Sequence, residues 1–151
     1  MLDRHQARIL AMQALCQLDA QASFLDQLDA FLADEQPPPA VQDYARELVQ
    51  RVQTEMSAID EHIQNVLDNW DIKRISMVDR NILRMAVCEL LHQSAAVPEK
   101  VALNEAVEIS KEFGTAESPG FVNGVLDAVI KRRLPSAADS TPNPTTENST
   151  T

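Results

Sequence analysis

The side chains able to do chemistry in this sequence are few and scattered. His5, His62 and His92 stand far apart, and no pair among them has the spacing of a zinc or other transition-metal site. Each reads as an ordinary surface or half-buried histidine, and no metal is expected. Cys16 and Cys88 fall within apolar stretches, where small thiols pack more often than they react. Two cysteines make no disulfide framework. Glu105 and Glu108 are one helical turn apart, as a carboxylate pair would be, yet Lys111 and Glu112 follow. The run reads as a solvated face of mixed charge. Only three glycines occur (Gly114, Gly120, Gly124), too few for a phosphate-cradling loop. With no nucleophile–base pair and no cofactor motif, the sequence points to a binding protein rather than an enzyme.

Three features stand out from ordinary surface. Arg4 and Arg8 are four residues apart, on one side of a helix, with His5 beside Arg4. Cations often coat helices, but positive charge in a first turn opposes the helix dipole at a cost of about 0.3–1 kcal/mol each, which points to an anionic partner. Phe121 opens the last apolar run. Its spacing fits core packing; alternatively its ring could be partly exposed for a nucleobase to stack on. Asn123 and Gly124 interrupt that run, as a close helix approach with a buried side-chain hydrogen bond would require.

The elements that must position these groups are helices. Ala7, Leu10, Ala11, Ala14, Leu15 and Leu18 follow the i, i+3, i+4, i+7 pattern, with Asp3 and Gln6 as a capping start. A short second helix should carry Phe24, Leu25, Leu28, Phe31 and Leu32 and stop before Pro37-Pro38-Pro39. A third holds Val41, Tyr44, Ala45, Leu48, Val49 and Val52. Ser57 with Asp60 offers a cap for a fourth, with Ile59, Ile63, Val66 and Leu67, ending near Trp70. Ser76 and Asp79 start a fifth, which is apolar over so wide an arc that it should be central. Pro98 opens a sixth that stops at Gly114, and Ser118-Pro119 caps a seventh. The expected fold is therefore all-α, about seven helices in two small packed bundles, divided near the triple proline or near Trp70–Ser76.

The chain has 151 residues, 44% hydrophobic and 24% charged, enough for one ordinary core. No apolar run approaches the 18–20 residues of a membrane helix, and the start lacks a secretion signal, so a cytoplasmic protein is expected. The net charge of −10 disfavours a polyanionic partner at first sight. Yet residues 17–69 carry eleven acids and two bases, which leaves a basic face from the start and the second half available. Pro135 to Thr151 contains no Val, Ile, Leu or aromatic residue and should be a disordered, low-complexity tail, leaving 1–134 as the helical binding domain.

Four segments in order resemble one family. Asp79-Arg80-Asn81-Ile82-Leu83-Arg84-Met85-Ala86 with Glu89-Leu90, Pro98-Glu99-Lys100-Val101-Ala102-Leu103-Asn104-Glu105-Ala106-Val107, Lys111-Glu112-Phe113-Gly114 and Phe121-Val122-Asn123-Gly124-Val125-Leu126-Asp127 are similar to the NusB family of bacterial transcription antitermination proteins. The stretch from Arg8 through Ala14-Leu15 fits that family's first helix. The resemblance is dense over 76–130, weaker over 1–75 and absent from the tail. It implies two small helical bundles, no catalysis and no cofactor. It also implies binding of boxA RNA in nascent ribosomal transcripts, together with the small-subunit ribosomal protein that doubles as NusE, in an assembly with RNA polymerase and other Nus factors. Carried over by position, the RNA-binding residues would be Arg4, His5, Arg8, Glu117 and Phe121, and the contact to NusE would be Asp79, which also fits a helix cap.

This sequence departs from the family's pattern in its first turn, where His5 and Gln6 occupy places that commonly hold arginine, and at Cys16, where an aromatic is often found. Two or three cations on phosphates would give a single-strand salt slope of about −1.5 to −2. Weak binding alone and strong dependence on NusE are the expectation. A second reading, supported by the net charge, is a diverged interaction module that holds NusE and little RNA. A third follows from NusB-like domains at the front of rRNA cytosine methyltransferases; 151 residues leave no room for the cofactor domain such an enzyme needs, and that reading is set aside.

Overall fold

A computed structural model describes residues 2–92 and 97–133 of the chain. The expected disorder of the 135–151 tail falls outside these residues. Among the described residues there are seven α-helices and no strand, and no helix is long and apolar enough to cross a membrane.

Helix α1 spans Arg4–Ala20, and Asp3 Oδ1 accepts the Gln6 amide at 3.0 Å as its cap. The second element is not one helix but a 3₁₀ segment, Ala22–Gln27, running into a short α2, Leu28–Ala33. Leu28 and Leu32 are buried in the core, and the half-buried Phe24 and Phe31 pack against it, edge-on to one another with centroids 5.5 Å apart; Phe24 lies outside the α-helical turn. Pro39 opens α3 (Pro39–Thr54), where its missing amide costs no hydrogen bond.

Helix α4 (Met56–Gln64) follows after Glu55 alone. The Glu55 carbonyl accepts the Ile59 amide, so no cap is needed at Ser57, which lies inside the helix. Asp60 is used elsewhere, as a partner of Arg84. The helix also stops well short of Trp70. Gln64 turns the chain: its Nε2 donates to the Trp70 carbonyl at 2.6 Å and its Oε1 accepts the Ile72 amide at 2.9 Å.

Helix α5 (Met77–Leu91) starts as expected, with Ser76 Oγ accepting the Asp79 amide. Every residue from 81 to 90 is buried, and α5 packs on α1, α3, α4, α6 and α7. Each of its fully buried Ile, Leu or Val side chains contributes about 1.5–3 kcal/mol. Helices α6 (Glu99–Phe113) and α7 (Ser118–Arg133) complete the fold. Between them a Cβ on Gly114 would lie under 3.0 Å from Ser118, so glycine is what allows this turn to close.

Helices α1–α3 form one bundle and α4–α7 another, over a continuous core that α5 joins to both. The division falls at Glu55, between α3 and α4, and not at either expected break. The triple proline lies inside the first bundle. The Trp70–Ser76 segment lies inside the second, because α4 packs on α5 and α7.

Candidate nucleic-acid and partner interface

The amino end of α1 meets the carboxyl half of α5 and the middle of α6. Arg8 is only 3% exposed. Its Nε donates to both Glu89 oxygens at 3.0 Å and its Nη1 to Glu105 Oε1 at 3.1 Å. Glu89 also accepts the Tyr44 hydroxyl at 2.5 Å. Burial alone would lower the Arg8 pKa, but the neighbouring Glu89 outweighs it and the guanidinium is held further above its ordinary value. Burial and the same carboxylate push the Tyr44 hydroxyl up to about 12. The sequence placed Arg8 on a ligand-facing surface; the structure puts it in the interior, where two carboxylates are its counter-ions. Glu105 in turn is no merely solvated acid.

Arg4 and His5 lie nearer the surface. The Arg4 guanidinium stands 5.4 Å from the Tyr44 ring centroid, and its buried Nε has no hydrogen-bond partner among the described residues. His5 is exposed, with Nδ1 2.9 Å from Glu105 Oε1.

The other expected residues gather at the opposite end of α5. Asp79 Oδ2 accepts the Ser118 hydroxyl at 3.0 Å, while its buried Oδ1 has no partner among the described residues. The cap at this point is Ser76; the Asp79 carboxylate instead ties the start of α5 to the start of α7. Ser118 likewise sits inside α7 rather than ahead of it, accepting the Thr115 amide. Glu117 is exposed, and its carbonyl accepts the Phe121 amide. Phe121 is half-buried and lines an open groove between α7 and the chain from Val66 to Trp70. Asp79 and Glu89 are ten residues apart on α5, so the two clusters are separated by about 15 Å along its axis.

Asn123 and Gly124 are both exposed, contrary to the expected buried hydrogen bond and close helix approach. They interrupt the apolar run but not the apolar stripe, which Val122, Val125, Leu126 and Val129 maintain on the other side of α7. Cys88 is buried, and burial, with Glu55 and Glu89 nearby, pushes its thiol up to about 12. Burial also raises the half-buried Cys16. Neither thiol is primed to react.

Comparison with known proteins gives the arrangement a family. The model of the NusB family matches residues 5–131. The chain is 42% identical over 130 residues to the transcription antitermination protein NusB of Bdellovibrio bacteriovorus, covering 85% of this chain and 95% of that one. It is 45% identical over 128 residues to its counterpart in Anaeromyxobacter dehalogenans, covering 83% and 89%. The chain belongs to the NusB family. Among solved structures it resembles NusB of T. maritima, with a TM-score of 0.78 at 34% identity over 89% of this chain and 96% of that one. It also resembles a chain of the antitermination factors NusB and NusE in complex with dsRNA, with a TM-score of 0.73 at 25% identity over 85% and 96%.

Within this NusB-family fold, sequence reasoning missed Glu89, Tyr44, Trp70 and Arg74. Glu89 carried a signal: an acid inside an apolar stretch that wide requires a buried cation, and Arg8 adjoins the first helix's apolar stripe. Trp70 carried a weaker one, as the chain's single tryptophan with a cation four residues on. In the structure Trp70 is 57% exposed, and the Arg74 guanidinium lies 5.8 Å from its ring centroid.

Proposed function

We propose that this NusB-family protein is a cytoplasmic transcription antitermination factor that binds boxA RNA of nascent ribosomal transcripts with NusE, in assembly with RNA polymerase and other Nus factors. The observation that carries the RNA-binding part is Phe121. Its ring is half-open at a groove while its neighbour Val122 is fully buried. A ring so placed can keep one end in the core and offer the rest to a base. Glu117, exposed one turn earlier, borders the same approach. Arg4 supplies the cationic end with His5 beside it, and Arg8, buried behind them, holds Glu105, which His5 also contacts. Asp79, with one carboxylate oxygen unpaired at the joint of α5 and α7, is the contact proposed for NusE. RNA running between the clusters would span the length of α5.

The burial of Arg8 lowers the number of phosphate partners at the α1 end to one or two, and the salt slope there to about −0.7 to −1.4. It also favours a second reading, a module that holds NusE and little RNA. The test is titration of labelled boxA RNA, with and without NusE, into the protein and into Arg4→Glu and Phe121→Ala. Losing a stacked ring weakens binding by about 1–3 kcal/mol. The first reading expects both variants to lose RNA affinity and keep the NusE complex; unchanged RNA affinity in both supports the second. Arg8→Glu cannot serve, because it would set a buried carboxylate against Glu89 and Glu105.

A further inference from the structure

We infer that the groove between the Trp70 segment and α7 receives an unpaired RNA base, stacked on Trp70 as well as Phe121, with Arg74 as the adjoining cation. This rests on the RNA-binding reading above and adds to it a stacking residue and a place for the base. Three observations carry it. Trp70 is 57% exposed in a chain with only six aromatic residues, and Arg74 stands over its ring. The backbone that carries the ring is held: Gln64 binds the Trp70 carbonyl and the Ile72 amide, and Asp71 Oδ1 accepts the Lys73 amide at 2.9 Å. Backbone held this way need not be ordered again on binding. The groove itself, about 450 Å³, is large enough for a flat aromatic ligand.

Gly120 and Gly124 keep it open. They line it one helical turn apart, and a Cβ at either would meet nothing within 4 Å. Charge selects what enters. Asp68 lines the groove and repels phosphate, so the neutral base goes in and the backbone stays on the Arg74 side. Aromatic rings with an adjacent guanidinium are the combination on which single-stranded bases stack.

The experiment uses the full chain with NusE and fluorescein-labelled single-stranded boxA RNA. Trp70 is the chain's sole tryptophan, so its fluorescence reports the groove directly. RNA added to the preformed complex should quench it saturably, with a midpoint matching the anisotropy of the labelled RNA. Trp70→Ala should weaken RNA binding roughly five- to a hundredfold. Gly124→Leu, which fills the groove and touches no ring's chemistry, should weaken it in the same direction without lowering the melting temperature. Wild-type affinity in both variants, while Phe121→Ala still weakens binding, overturns this inference and leaves the proposed function standing. Loss of NusE rather than RNA from the variants also overturns it, making the groove a protein-docking site. If the wild-type complex binds no boxA RNA, the proposed function itself falls.

Discussion

Two regions flanking α5 make opposite use of the residues a ligand would want. At the amino end of α1, Arg8 is buried among Glu89, Glu105 and Tyr44; the carboxylates hold its Nε and Nη1, and its buried Nη2 has no hydrogen-bond partner among the described residues. Between α7 and the Trp70 segment, Phe121 is half-buried and Trp70 is exposed, and both line an open groove. One cation the sequence marked for RNA, Arg8, is buried among carboxylates, and an aromatic it did not mark, Trp70, is exposed. Residue type therefore says less about contact with a ligand than whether the fold has already supplied a partner.

The largest effect is expected from Glu89→Ala. If the α1 cluster is a closed ion-pair network, the substitution strands Arg8 without its main counter-ion at 3% exposure. Removing one member of a buried pair costs about 3–5 kcal/mol. Urea unfolding should show a loss in that range. A loss under about 1 kcal/mol would mean that solvent reaches Arg8 and that the two regions are alike. Replacing Arg8 and Glu89 together by apolar residues of similar volume should cost far less than Glu89→Ala alone.

The contrast also explains how much could be read from the sequence. Helices α1, α3, α5, α6 and α7 were legible because an apolar stripe of period 3.6 is set by burial, and burial dominates the energy of a helix. Asp3, Ser76, Pro98 and Gly114 were legible as ends because each satisfies or removes a terminal backbone group locally. Ser57 misled, since a helix can begin from the last turn of its predecessor, and then no side-chain cap is required. The site was read less well. Phe121 stood out by its place at the head of the last apolar run and Glu117 came from the family resemblance alone, but the burial of Arg8 depends on Glu89, 81 residues away, and Tyr44, which no local window contains. Trp70 was hidden for a different reason: apolar periodicity expects a tryptophan at the end of a helical stripe to pack, whereas α4 stops at Gln64 and leaves Trp70 in the turn beyond it.

Tyr44→Phe should have an intermediate effect. A hydrogen bond to a charged group is worth about 1.5–3 kcal/mol, so neutral-pH stability should fall by that much. The pH profile adds a second readout. The folded Tyr44 hydroxyl titrates at about 12, above the 10 of an ordinary tyrosine. The unfolded chain therefore releases this proton first. The contribution of Tyr44 is whole below pH 10 and is lost as pH climbs through 12. Unfolding measured between these limits should show stability falling in the wild type and a flatter course in Tyr44→Phe. Parallel curves would place Tyr44 outside the Glu89 network.

The smallest effect expected is a gain, and it tests the open region. Glycine inside a helix costs about 0.5–1 kcal/mol relative to alanine, through the freedom it loses on folding. Gly124 lies within α7 with no atom within 4 Å of where a Cβ would project. Gly124→Ala should therefore raise the urea midpoint by the equivalent of that amount without changing the slope of the transition. Gly114→Ala, whose Cβ would strike Ser118, should move the other way. A loss of stability at Gly124 would show that the groove is packed and remove the contrast with the α1 cluster. A gain accompanied by weaker RNA binding would show that the fold keeps this position bare at the expense of its own stability, for the sake of what lies in the groove.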